Sequence, residues 1–300
     1  MPALAGVESA PAGAPRGRGP LSYSSFHTYE ECPQRWKYLY IEQRTEAPRP
    51  YFSFGRSMHL ALETLVTPLV GGQRPRKKGQ TALTDFLTEE DALWMPDPSS
   101  PPLDPTAVMS VEELLANYER LWVKEGFASP DEERRYFETG RDLLRRYHGL
   151  FAAAPPRPVA VEKRLVGDME GIPIHGILDR IDLRPGGALE VIDYKTSREL
   201  SVRDALTSDQ LSFYQVLVES NYDYPVERLT LYHLRSLTPL SSPPREERQL
   251  SHLAGRVSVV AEGISSQRYE PRVSPQCNRC EFRSLCPAFA GAGPVPRKRR

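Results

Sequence analysis

The sequence predicts an α/β fold, a central mixed sheet flanked by helices. Three observations carry that reading. Three β-prone runs arrive together, at 159–166, 172–183 and 188–195, with Gly171 and Gly186-Gly187 at the turns between them. Two helical apolar patterns, at 111–125 and 131–151, precede them. A further helix at 202–219 separates them from another strand at 228–237, and strands on either side of a helix make a mixed sheet covered by helices.

Three hundred residues fit one large domain or two small ones, and 39% hydrophobic with 26% charged residues is ordinary for a globular chain. Lys+Arg and Asp+Glu balance at 39 each, so a nucleic-acid surface has to be a local patch. The basic runs at 74–78 and 297–300 read as solvated charge. No run of about 18 apolar residues exists, so no membrane span is expected, and the N-terminus lacks the apolar core of a secretory signal. The expectation is a cytoplasmic protein whose four cysteines are reduced thiols, suited to metal binding or catalysis rather than to disulfides.

Residues 1–20, rich in Ala, Gly and Pro, read as a flexible tail. Order is expected from Leu21, with Ser22 or Ser24 capping a helix on which Phe26, Tyr29 and Cys32 share a face. Pro33 breaks that helix or opens the next turn, which carries Trp36, Tyr38 and Tyr40. Arg35-Trp36-Lys37-Tyr38 reads as core aromatics with snorkelling cations, or else as a base-stacking cluster. Beyond Phe54-Gly55-Arg56, His59 and Glu63 lie one helical turn apart beside a stripe of Met58, Leu62 and Leu65. A lone helical His is more often structural than a ligand, so the residues alone leave His59 open. Residues 68–110 mix Gly, Pro and basic residues around one short helical pattern at 83–93, a variable insertion. In the 131–151 helix, Phe137, Leu143, Leu144, Tyr147 and Leu150 form the apolar stripe. A polar, Pro-rich break at 241–248 precedes a last helix at 250–264, and residues 291–300 form a basic tail.

The chemistry concentrates on two strands. Side chains two apart share a face, so Leu189, Val191, Asp193 and Lys195 face one way, Ile192 and Tyr194 the other. By the same rule Ile177, Asp179 and Ile181 share a face. Two neighbouring strands then send Asp179 and Asp193 to a common place, with Lys195 beside them. Such carboxylates repel until a hard cation joins them, and a Mg²⁺ held there would activate water for phosphodiester cleavage. The plain alternative is two strand-end acids, one of them paired with Lys195. Gln210 and Tyr214, one turn apart on the 202–219 helix, suit hydrogen bonds to a DNA backbone or base, although amphipathic helices carry such pairs by chance. Cys277 and Cys280 form a C-x-x-C, Cys286 follows after five residues, and Cys32 lies near the other end of the ordered chain. Four thiolates suit structural Zn²⁺ or an iron–sulfur cluster, and either would close residues 266–288 onto Cys32.

Taken in order, these residues resemble the RecB/AddB-type nucleases of the PD-(D/E)XK superfamily. The likeness is to the iron–sulfur-containing exonuclease branch, which includes the AddB nuclease domain and the CRISPR adaptation nucleases. It runs over about 21–288: Ser22-Tyr23-Ser24 through Cys32-Pro33, Gly55 to His59 and Glu63, Gly176 to Asp182, Asp193-Tyr194-Lys195-Thr196, Gln210 to Tyr214, and the cysteine triplet. The resemblance implies a restriction-endonuclease-like PD-(D/E)XK core over 21–290, with a helical N-terminal insertion and a C-terminal cysteine segment. It implies that Asp179, Asp193, His59 and the backbone carbonyl of Tyr194 bind Mg²⁺ or Mn²⁺, and that Lys195 orients the attacking water. Gln210 and Tyr214 would hold DNA near the metal, and Cys32, Cys277, Cys280 and Cys286 would carry a [4Fe–4S] cluster. Glu63 matches a commonly acidic position with no chemistry assigned. Leu178 stands where the superfamily has a nominal Pro. The implied activity is a metal-dependent DNA exonuclease acting on single-stranded ends in repair or recombination. The alternatives are a CRISPR-adaptation-like or structure-specific endonuclease, and a non-cleaving DNA-end or partner-binding iron–sulfur module. No G-x-x-x-x-G-K-[ST] loop is present, so a motor would come from a separate helicase subunit.

Overall fold

Ser22 ends a two-residue strand, β1 (Leu21–Ser22), and caps α1 (Tyr23–Glu31) by accepting the Ser25 N–H at 3.1 Å. Pro33 opens α2 (Pro33–Trp36) at a position where its missing N–H has no helical partner to lose, and a π turn, Lys37–Ile41, continues from it. Pro50 opens α3 (Pro50–Val66) in the same way. In the expected insertion, β2 (Gln73–Pro75) pairs antiparallel with β3 (Trp94–Pro96). Ser110 caps α4 (Val111–Arg120), shorter than its sequence pattern, and Ser129 caps α5 (Pro130–Ala153). Then come β4 (Pro158–Met169), β5 (Ile172–Leu183), β6 (Leu189–Lys195), α6 (Val202–Thr207), α7 (Asp209–Asn221), β7 (Val226–His233), β8 (Thr238–Ser242) and α8 (Glu247–Ser265). This computed structural model describes residues 19–70, 73–75, 94–96 and 105–290. Nearly all of the expected tail at 1–20, most of the basic run at 74–78, the helical pattern at 83–93 and the basic tail at 291–300 lie outside the described residues.

Six strands make one mixed sheet in the order β1-β5-β6-β7-β8, with β4 also paired to β5. β4 runs antiparallel along nearly all of β5, so β1 and β6 share the opposite edge: β1 at Ile174 and His175, β6 at 180–183. Parallel pairing of β6 with β7 needs a crossover, which α6 and α7 provide. On one face, Phe26, Phe213, Leu217 and Val257 from α1, α7 and α8 bury Leu189 and Val191. On the other, Phe54, Met58, Leu114 and Leu144 from α3, α4 and α5 bury Ile192 and Tyr194. The alternation expected for this strand therefore holds.

Elsewhere the pattern misleads. The helix expected over 202–219 is two, because Ser208 leaves the helical region (φ −69, ψ 111) and caps α7 through the Leu211 N–H. The stretch read as a break from 241 begins as β8, paired with β7. Leu150 is 55% exposed and Phe151 fills the core instead, since one residue is a rotation of about 100° around a helix. Trp36 and Tyr38, by contrast, are buried as the expected core aromatics. In β5, Ile177 is exposed, whereas Leu178 and Ile181 join the same apolar core, so strict alternation fails across Asp179. The register explains it. Lys163 pairs with Leu178 and Val161 with Arg180, which sets Glu162 opposite Asp179 in a left-handed conformation, φ 43°. A local irregularity of that kind re-aims side chains on both strands.

Candidate metal centre and cysteine pocket

β6 parts from β5 after Ile192, the last residue of β6 with a partner there. The Tyr194 N–H needs another acceptor on that side, and the Asp179 carboxylate supplies it, Oδ2 accepting at 2.7 Å. That bond draws Asp179 to the strand that carries Asp193. Asp193 is 2% exposed. Burial pushes its carboxyl up to about 6, with Lys195 drawing it down and Asp179 pushing it up. Lys195 Nζ pairs with the buried Asp193 Oδ2 at 2.6 Å. Gln210 bridges the pair. Its amide N–H donates to Asp193 Oδ1 at 2.9 Å and its carbonyl accepts from Lys195 at 2.8 Å. The same amide donates to the hydroxyl of buried Tyr214 at 2.8 Å.

α3 delivers the remaining groups. Gly55 lies so close to β6 that an added Cβ would stand 3.2 Å from the Thr196 hydroxyl. One turn on, His59 turns Nδ1 toward Asp179 at 3.5 Å and Glu162 at 3.8 Å, and Nε2 donates to the Tyr194 carbonyl at 3.1 Å. Burial pulls the imidazole pKa down, but Asp179 and Glu162 more than reverse this and hold it at about 10. His59, Glu162 and Asp179 offer ligand atoms all within 4.8 Å of one another. Burial and Glu162 also raise the carboxyl of Glu63. Negative charge is thus in excess around one imidazole and one ammonium. With the buried Asp193 carboxylate, this donor set fits a hard divalent cation bound by oxygen and imidazole.

The sequence reading did not single out Glu162. It is one glutamate on a strand of mixed polarity, and its aim depends on the left-handed kink. The same reading gave Arg180 no role, and it had Tyr147 only as part of an apolar stripe. Arg180 Nη1 donates to the hydroxyls of Tyr147 at 2.9 Å and Tyr194 at 2.5 Å, and Nη2 pairs with Asp182 at 3.0 Å. The Tyr194 ring is pinned there while its peptide groups serve Asp179 and His59. The available signal was a charged residue inside an apolar strand.

The four cysteines line one pocket with Arg35, Tyr38 and Phe282. Cys32 joins α1 to α2, and the others lie on or beside short turns, Pro275–Arg279, Arg283–Leu285 and Pro287–Phe289. All are free thiols of intermediate exposure. Burial raises the Cys280 thiol pKa. The segment is docked by polar contacts: the Tyr38 hydroxyl donates to the Leu285 carbonyl at 2.7 Å, and Glu281 accepts from the Ala47 N–H at 2.6 Å and from Arg49 at 2.9 Å.

Among the described residues no helix is long and apolar enough to cross a membrane. A family profile, the PD-(D/E)XK nuclease superfamily, matches residues 20–287. Among solved structures, the chain is similar to one described as "Crystal structure of SSO0001", with 18% identity, 79% of this chain and 95% of that chain covered, and a TM-score of 0.32. No curated protein matches.

Proposed function

The chain belongs to the PD-(D/E)XK nuclease superfamily, and from that premise we propose a Mg²⁺- or Mn²⁺-dependent DNA exonuclease that acts on single-stranded ends in repair or recombination. The observation that supports it most is the meeting of Asp179, Asp193, Lys195 and His59 where β5 and β6 part. Asp179, Asp193, His59 and the Tyr194 carbonyl would hold the cation, and Glu162 stands close enough to join them. A bound divalent ion supplies Lewis-acid stabilisation of phosphate charge and lowers the pKa of water. Lys195 presents its ammonium to charge developing on the phosphate and orients the attacking water. Gln210 keeps Lys195 and Asp193 aligned, Tyr214 fixes Gln210, and through this contact chain the two set the DNA backbone against the site. Strands would be opened by a separate helicase subunit.

The cysteines would carry a [4Fe–4S] cluster. The four of them line one pocket, and four thiolates are the ligand count such a cluster takes.

The test is Asp193→Ala and Lys195→Ala, assayed on end-labelled single strands with Mg²⁺ or Mn²⁺. Each variant should lose at least about a hundredfold in rate while keeping its circular dichroism spectrum. Cutting at the parent's rate by both variants overturns the assignment. Cleavage of closed single-stranded circles overturns exonuclease in favour of endonuclease. A brown, anaerobically purified protein supports the cluster, and a colourless zinc-loaded one overturns it.

A further inference from the structure

We propose that Tyr51 and Phe52, together with Arg56, form a stacking platform for the unpaired bases of single-stranded DNA on the helix that carries His59. This rests on the nuclease reading above and deepens it by saying where the strand lies before it reaches the metal centre. The two rings are 48% and 58% exposed, although their neighbours Ser53 and Phe54 are buried. They contact each other, with centroids 4.3 Å apart, and neither joins the apolar cores. Exposed large rings are what successive bases stack upon, because every base offers a π face.

Position on the helix gives the pair its direction. Phe52, Arg56, His59 and Glu63 recur at intervals of three and four along α3, so they share one face. Phe52 precedes His59 by seven residues, about 10 Å along the axis at about 1.5 Å per residue. That is the reach of about three nucleotides at roughly 3.4 Å each, and fewer if the strand is stretched. Arg56 lies between them, exposed, and makes no ion pair or hydrogen bond among the described residues. An exposed guanidinium between the rings and the metal ligands complements a phosphodiester backbone. The platform's base is anchored, since Arg49, next to the first residue of α3, is paired with Glu281. Duplex DNA cannot use the rings, because its bases are already stacked on one another.

The experiment measures binding of a labelled oligothymidylate by fluorescence anisotropy in EDTA, so that nothing is cut, and cleavage of the same strand with Mn²⁺. Tyr51→Ala with Phe52→Ala should weaken single-strand binding about ten- to hundredfold, with duplex binding and melting temperature unchanged. Phe52→Trp should restore most of the loss. Arg56→Ala should reduce the salt dependence by about one phosphate contact. A parent that binds and cuts single strands, with a double-alanine variant that matches it, overturns the platform and leaves the nuclease reading intact. A parent that neither binds nor cuts DNA removes both. A double variant that changes oligomeric state but keeps oligothymidylate affinity also overturns the platform, and assigns the rings to a contact between copies of the chain.

Discussion

Asp193 lies on a strand hydrogen-bonded to β7 through its whole length, with an apolar core against each face, whereas Cys277, Cys280 and Cys286 ride on single short turns docked by polar contacts. The first site is held by the fold. The second has little apolar burial of its own beyond Phe282, so a group bound by its thiols would supply much of its order. The two are nevertheless linked, because Glu281 of the cysteine segment grips Ala47 and Arg49, just ahead of the helix that carries His59.

The largest expected break in that comparison is loss of a cysteine. Cys286→Ser should remove several kcal/mol of stability, a fall of about 10 °C in melting temperature at roughly 2–4 °C per kcal/mol, and expose the segment to protease. An unchanged melting curve would make the cysteine pocket dispensable. Stripping divalent cations with EDTA should, by contrast, leave the melting temperature of the sheet centre nearly unchanged.

A smaller effect sharpens the other half. The His59 proton is held to about 10 by Asp179 and Glu162 despite burial, so at neutral pH the imidazole must lose it to become a ligand. Cation binding therefore releases a proton, and Mn²⁺ affinity should rise with pH, by up to about tenfold per unit below pH 10. Titration calorimetry in buffers of different protonation enthalpy counts that proton, and a count of zero takes His59 out of the ligand set. Glu162→Gln removes one group that holds the proton, so the rise should move to lower pH.

The smallest expected effect is at the link. Glu281→Ala removes a partly exposed ion pair with Arg49 and should cost about 0.5–1 kcal/mol. A rise in KM for single strands without a fall in kcat would show that the cysteine segment steadies the start of α3. No change in either would make the two sites independent.

Much of the centre was legible in local pattern. Asp193 and Lys195 sit two apart at the end of an apolar strand, and the faces of that strand came out as alternation requires. Asp179 was placed near them, but by a mechanism that spacing does not contain: its carboxylate replaces a missing strand partner at the Tyr194 N–H. Spacing did not show that Gln210 is bonded to Asp193 and Lys195, or that Tyr214 is buried behind it. Trp36 and Tyr38 are core, as expected of them, whereas the exposure of Tyr51 and Phe52 left no mark in the local pattern.

By itself the sequence determined what repeats along a chain: the serine cap before α1, the apolar faces of β6, and the grouping of the cysteines. Periodicity and capping are properties of neighbours a few residues apart, and a linear reading captures them. Tertiary structure alone decided that Glu162 turns toward His59, that Arg180 pins the Tyr194 ring, and that β5 and β6 part where they do. Those outcomes depend on which strand lies beside which and in what register, and pairing energy between distant segments leaves no mark on either segment taken alone.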